Sequence, residues 1–240
     1  MMPDKIDEML ARAAQRAIPT DAGRAAMDRA RAALIKDLRP VQPIPPVWAF
    51  TLILVGAFVV VGGASASLLG LHGVHALSPM QRTFIFPALL AAAWVAALGC
   101  ARAMRPAGGS RLGAAALAIA SAAFPVLFSL IFNGYGTRSF VHEGIPCLVA
   151  GMCVAIPTAL VITFILRRGY VMSWAAAGVA AGSLAGLTGL AMLELHCPNL
   201  KAIHVMVWHV AVVVVSGVLG WAAGAIAGAV QRRSAPQPER

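Results

Sequence analysis

The chain has 240 residues, of which 60% are hydrophobic and 12% charged, and it carries a formal net charge of +10. A soluble domain of this length has no core large enough to hide so much apolar surface, so the composition excludes a water-soluble fold and indicates an integral membrane protein. In such a protein the positive charge is a topology signal, and no direct nucleic-acid partner is expected.

Residues 1–46 are polar, alanine-rich and contain both acids and bases, which is unlike a cleavable leader. From Asp4, the residues Ile6, Met9, Leu10, Ala13 and Ala17 recur at helical spacing until Pro19. A second run opens with Thr20 or Asp21 as N-cap and places Met27, Ala30, Leu34 and Leu38 on one face, with Arg24, Arg29, Arg31 and Lys36 elsewhere around the helix. Two readings fit this arm. It lies on anionic lipid as a basic amphipathic element, or it presents an apolar stripe to a soluble protein partner. Pro40, Pro43, Pro45 and Pro46 then make a semi-rigid spacer before the membrane part.

Six apolar segments follow, at about 47–71, 83–103, 112–132, 147–166, 171–193 and 204–230, each near the length that crosses a bilayer. The expected fold is an all-α membrane protein, a six-helix bundle (47–230) with an N-terminal helical arm (1–46) and a short tail (231–240). An even number of spans puts both termini on one side. Sixteen lysines and arginines fall on that side, against Arg82, Arg138 and Lys201 on the other. The positive-inside rule then makes both termini cytoplasmic, in the inner membrane of a bacterium.

No Asp, Glu, Lys or Arg lies near the middle of a span, which disfavours an ion-coupled transporter. Gly178, Gly182 and Gly186 in the fifth span and Gly220, Gly224 and Gly228 in the sixth repeat at the spacing that lets helices approach closely. Pro87, Pro125 and Pro157 are tolerated kink sites. All six histidines, by contrast, fall in or near the connections on the outer side: His72, His75, His142, His196, His204 and His209.

The chemistry concentrates in two of these connections. One contains His142, Glu143 and Cys147; the other contains Glu194, His196 and Cys197. Cys147 precedes the fourth span and Cys197 follows the fifth, so an antiparallel hairpin of the two sets both thiols at one depth. A disulfide follows if their Cα atoms lie within about 7 Å. The alternative is a thiolate and imidazole metal site, with Cys147, Cys197 and His196 as ligands and His142, Glu143 and Glu194 as accessory donors. Metal would be a transient ligand, and no resident cofactor is signalled. His204 and His209 are five residues apart, about 500° of α-helical rotation and so about 140° from a shared face, which makes them poor co-ligands. His72 and His75 read as interface anchors, and Cys100 as a packed thiol. A membrane cytochrome or metalloprotein is a separate alternative; it needs two histidines facing one another on neighbouring helices, for example His204 or His209 opposite His142.

The pattern Gly-Tyr-x-x-Arg-Ser-Phe-x-x-Glu-Gly-x-Pro-Cys (Gly134 to Cys147), the later Leu195-His-Cys-Pro-Asn199 and His204-x-x-x-Trp-His209 together resemble the NrsF family. These are six-span membrane proteins described as negative regulators of the extracytoplasmic-function sigma factor F. The resemblance covers the membrane part and is weak in the arm. It implies a non-enzymatic anti-sigma factor whose arm holds a sigma factor at the membrane. It also implies that Cys147 and Cys197 take part in perceiving metal or oxidative stress. The docking stripe would then be Met9, Leu10, Ala13, Met27, Leu34 and Leu38.

Overall fold

The computed structural model describes residues 8–9, 21–37, 46–104, 111–136, 138–166 and 173–234. It divides into two compact units, Met1–Pro43 and Ile44–Arg240.

In the first unit, helix α1 spans Asp21–Asp37. Its alanines favour the helix intrinsically, since alanine loses no side-chain entropy on ordering. Arg24, Arg29 and Arg31 are exposed, and so are Met27 and Ile35, at 61% and 59%. Ile35 is an apolar side chain that the stripe drawn from the sequence did not include. Of the earlier run, Glu8 and Met9 are helical and exposed, whereas Leu10 and Ala13 lie outside the described residues, as does Leu38. Leu34 falls within α1.

The second unit is all helical among its described residues. Helices α2 (Val47–Leu69), α4 (Pro79–Ala103), α5 (Arg111–Ile131), α6 (Phe140–Leu166) and α7 (Trp174–His196) supply five elements long and apolar enough to cross a membrane. The sixth runs from Ala202 to Arg233 and combines a short helix α8 (Ala202–His204), a π turn (Val205–His209) and helix α9 (Val210–Ser234). A short helix α3 (His72–Ala76), unforeseen in the sequence, fills the first connection. Leu52, Val60, Leu130, Leu160, Phe164 and Ile226 are exposed along the spans. Large apolar side chains facing outward are what a hydrocarbon solvent selects and water does not.

Two helix starts differ from those read off hydropathy. Helix α4 begins at Pro79 because Ser78 forms a capping box: its hydroxyl accepts from the Gln81 amide at 3.3 Å, and Gln81 Oε1 accepts from the Ser78 amide at 2.8 Å. Polar Gln81 and Arg82 therefore sit inside the first turns. Helix α6 begins at Phe140 and runs through Pro146. Proline there forfeits one hydrogen bond, to the carbonyl of His142, a residue exposed to solvent. Cys147 consequently lies about two turns inside the helix rather than at its edge.

Helix α7 is the centre of the bundle. Its most apolar 18-residue stretch is 89% buried, against 22–50% for the other five spans. It packs on α2, α4, α5, α6 and α9. So many neighbours fit because its side chains are small. A Cβ at Gly178 would strike the Gly220 carbonyl oxygen, one at Gly220 would strike that of Gly178, and one at Gly182 would strike that of Ser216. Backbone meets backbone along the whole crossing with α9, so dispersion contacts replace the hydrophobic drive that lipid does not provide. Gly182→Val should therefore destabilise the bundle by about 1–3 kcal/mol, the usual cost of overpacking. Denaturation of the detergent-solubilised chain would report it, whereas Gly56→Ala, whose Cβ would meet nothing within 4 Å, should be neutral.

Candidate functional site: two thiols and two imidazoles

Three connections meet at one end of the bundle. Gln81 Nε2 donates to the Ile131 carbonyl at 2.9 Å, and the Ala202 amide donates to the Asn133 carbonyl at 3.1 Å. Helix α3 lies so close to the end of α7 that a Cβ at Gly73 would come within 2.7 Å of the Cys197 carbonyl oxygen and 2.8 Å of that of Glu194. Only glycine fits at 73.

Helix α7 ends at His196, and Cys197 turns extended (φ −75°, ψ 118°) while its amide still donates to the Leu193 carbonyl at 2.7 Å. Adjacent residues on a helix point about 100° apart. His196 therefore faces the first connection, with Nδ1 at 2.9 Å from the Gly70 carbonyl oxygen and its ring edge-on to that of His72, 5.8 Å between centroids. Cys197 faces inward. Its Sγ lies 3.5 Å from Cys147 Sγ, and both are free thiols. The contact with Cys147 and then burial push the Cys197 thiol above its ordinary pKa.

The π turn completes the cluster. In a π-helix the repeat is i to i+5, so residues five apart stack on one face. His204 and His209, which α-helical geometry would separate, instead meet edge to face with centroids 5.2 Å apart. His204 Nε2 lies 3.7 Å from Cys197 Sγ. Donor atoms of Cys147, Cys197, His204 and His209 all lie within 4.8 Å of one another. Beside the turn, Trp208 packs over Gly144, where a Cβ would overlap the indole, and its ring contacts that of Phe140 at 5.3 Å.

Glu194 is the fifth member of the cluster, one step removed. Its Oε1 is 2.8 Å from His209 Nδ1, and both side chains are shut away from solvent, at 0% and 1% exposure. Four buried polar atoms here have no hydrogen-bond partner: Glu194 Oε2, His204 Nδ1, Trp208 Nε1 and His209 Nε2.

The accessory donors expected from the sequence are dispersed. Glu143 Oε2 accepts from Lys201 Nζ at 3.2 Å and Asn199 Nδ2 at 2.8 Å, pinning the fifth connection to α6. His142 is exposed, whereas His204 and His209 are buried. His196 is occupied elsewhere and Glu194 touches an imidazole rather than the thiols. His204 and His209 take their place. Of the remaining cysteines, Cys100 is buried in α4, as expected of a packed thiol, and Cys153 is exposed on α6.

Two thiols at this separation should close into an intramolecular disulfide under a mild oxidant such as diamide. Counting thiols by maleimide mass-tagging after denaturation should show two of four lost, and none should be lost in Cys147→Ser.

A family model described as negative regulator of sigma F, NrsF, matches residues 34–227, from within α1 to within α9. No curated protein and no solved structure matches. The matched region contains five spans whole, the sixth as far as residue 227, and every member of the thiol and imidazole cluster, and the chain belongs to the NrsF family of negative regulators of sigma F.

Proposed function

We propose that the chain is a membrane-bound anti-sigma factor with a receiving end and a holding end. Residues 1–46 act as a cytoplasmic arm that retains an extracytoplasmic-function sigma factor at the bacterial inner membrane. Residues 47–230 form the membrane domain, and residues 231–240 a cytoplasmic tail. The arrangement of lysines and arginines supports this orientation.

The observation that carries the reading is the exposed apolar pair Met27 and Ile35 on a helix that also bears arginines, in a chain of a sigma-regulating family. Apolar side chains on one helical face gain by entering a groove on a partner, and flanking guanidinium groups meet acidic surface there. Met9, Leu10, Ala13, Leu34 and Leu38 are the further docking residues that the sequence pattern proposes.

The thiol pair is the input. Hydrogen peroxide closes Cys147 and Cys197 into a disulfide, taking both thiol protons and two electrons and leaving as two waters. A thiophilic cation displaces the same two protons as it binds the sulfurs. Disulfide closure draws α6 toward the end of α7, and a cation held by both sulfurs ties the two helices together. Switching the arm from about 1% to about 99% released requires a differential binding energy of about 5.5 kcal/mol.

Deleting residues 1–38 should move the sigma factor from the membrane fraction to the soluble fraction; continued retention would contradict the docking role. The Cys147→Ser, Cys197→Ser double variant should hold the sigma factor under both oxidant and metal stress. Normal release by that variant would remove the thiols from the mechanism.

A further inference from the structure

We propose that Cys147, Cys197, His204 and His209 form a closed four-coordinate site for a divalent d10 cation of the Zn2+ or Cd2+ kind, with Glu194 positioning the imidazole of His209. The site deepens the reading of the thiol pair as the input, since it names the ligand class and adds two ligands from the sixth span.

The geometry comes first. In a tetrahedron with metal–sulfur bonds of about 2.3 Å and metal–nitrogen bonds of about 2.0 Å, neighbouring ligand atoms lie about 3.3–3.8 Å apart. Cys147 Sγ to Cys197 Sγ is 3.5 Å, and Cys197 Sγ to His204 Nε2 is 3.7 Å. No pair in the set exceeds 4.8 Å, so about 1 Å of side-chain closure completes the polyhedron.

The second observation is independent of spacing. His209 is 1% exposed, its Nδ1 is engaged by Glu194, and its Nε2 has no hydrogen-bond partner. A buried ring nitrogen without a partner is costly unless something binds it. The carboxylate on Nδ1 fixes the tautomer that leaves a lone pair on Nε2 and raises its basicity, the usual outer support of a metal-bound imidazole.

Charge selects the oxidation state. Binding releases both thiol protons, and two thiolates neutralise a divalent cation, whereas a monovalent one would leave net negative charge in a buried site beside Glu194. Two sulfurs and two imidazole nitrogens in tetrahedral disposition suit d10 ions and disfavour Mg2+ or Ca2+. All four positions come from the protein, which makes this a binding site rather than a catalytic one.

The test uses the full-length chain in detergent, reduced and kept anaerobic, with Co2+ as the optical probe. One equivalent should produce the intense visible bands of tetrahedral cobalt with thiolate charge transfer, and Zn2+ or Cd2+ should bleach them at one equivalent. His204→Ala and His209→Ala should each lose the tetrahedral bands, while His142→Ala and His196→Ala keep them. His204→Cys, which retains four donors, should restore tetrahedral bands with added thiolate character, showing coordination rather than mere folding. Glu194→Gln should keep the band shape and weaken binding about 10- to 100-fold. Unchanged bands and affinity in both His204→Ala and His209→Ala would overturn the site, as would octahedral cobalt in the parent chain. Retention of the sigma factor by a chain that binds cobalt as described would defeat the release mechanism and leave the site standing. The converse pattern, stress-dependent release without tetrahedral cobalt, would defeat the site alone.

Discussion

The close approach of α7 and α9 is the constraint on which the rest of this bundle depends. Lipid gives helices no hydrophobic reason to associate, so contact area must come from shape, and side chains limited to hydrogen or methyl provide it. The crossing runs from Gly178 against Gly220 to Gly186 against Val213. One turn beyond Val213 lies His209, and two turns beyond Gly186 lies Glu194. The glycine contacts thus set the distance at which a carboxylate on one helix meets an imidazole on the other.

That meeting is expensive. A carboxylate and an imidazole held at 0% and 1% exposure have given up their water, and a well-packed apolar pair of similar volume is often at least as stable. Removing one partner of such a pair generally costs about 3–5 kcal/mol, because the other is left uncompensated. Packing alone therefore gives no reason to keep it. Holding one imidazole nitrogen so that the other stays available does give a reason, and Cys197 lies on the side where that nitrogen is found.

Much of this was legible in the sequence, and the failures have specific causes. Six spans follow from apolar length, and the pairing of Cys147 with Cys197 follows from hairpin geometry. Both depend on averages over many residues. The meeting of His204 and His209 beside the thiols is not legible, because α-helical rotation separates the two rings and a π turn carries no compositional mark. His196 adjoins Cys197 in the sequence, yet its ring turns to the Gly70 carbonyl and away from the thiols. Hydropathy falls at Glu194 and suggests a connection, yet the residue is buried within α7.

One consequence concerns leverage. Helix α6 is in close contact with α7 at Gly151, where a Cβ placed on Gly189 would lie 2.6 Å from the Gly151 carbonyl oxygen. At about 1.5 Å per residue, Cys147 is about 6 Å from that contact and Leu166 about 22 Å. For α7 the arms are reversed: the crossing with α9 near Gly182 is about 21 Å from His196 but only about 12 Å from Trp174. A rigid tilt of α7 would thus deliver less motion at its far end than it received, whereas a tilt of α6 about Gly151 would multiply a displacement of Cys147 between three- and fourfold, by about that ratio of arms. Pro157 lies on the long arm and is the place where such motion can bend instead of swing. The short arm of α6 carries Cys147, so under such a tilt a sub-ångström shift there would become a displacement about the width of an atom at the Leu166 end.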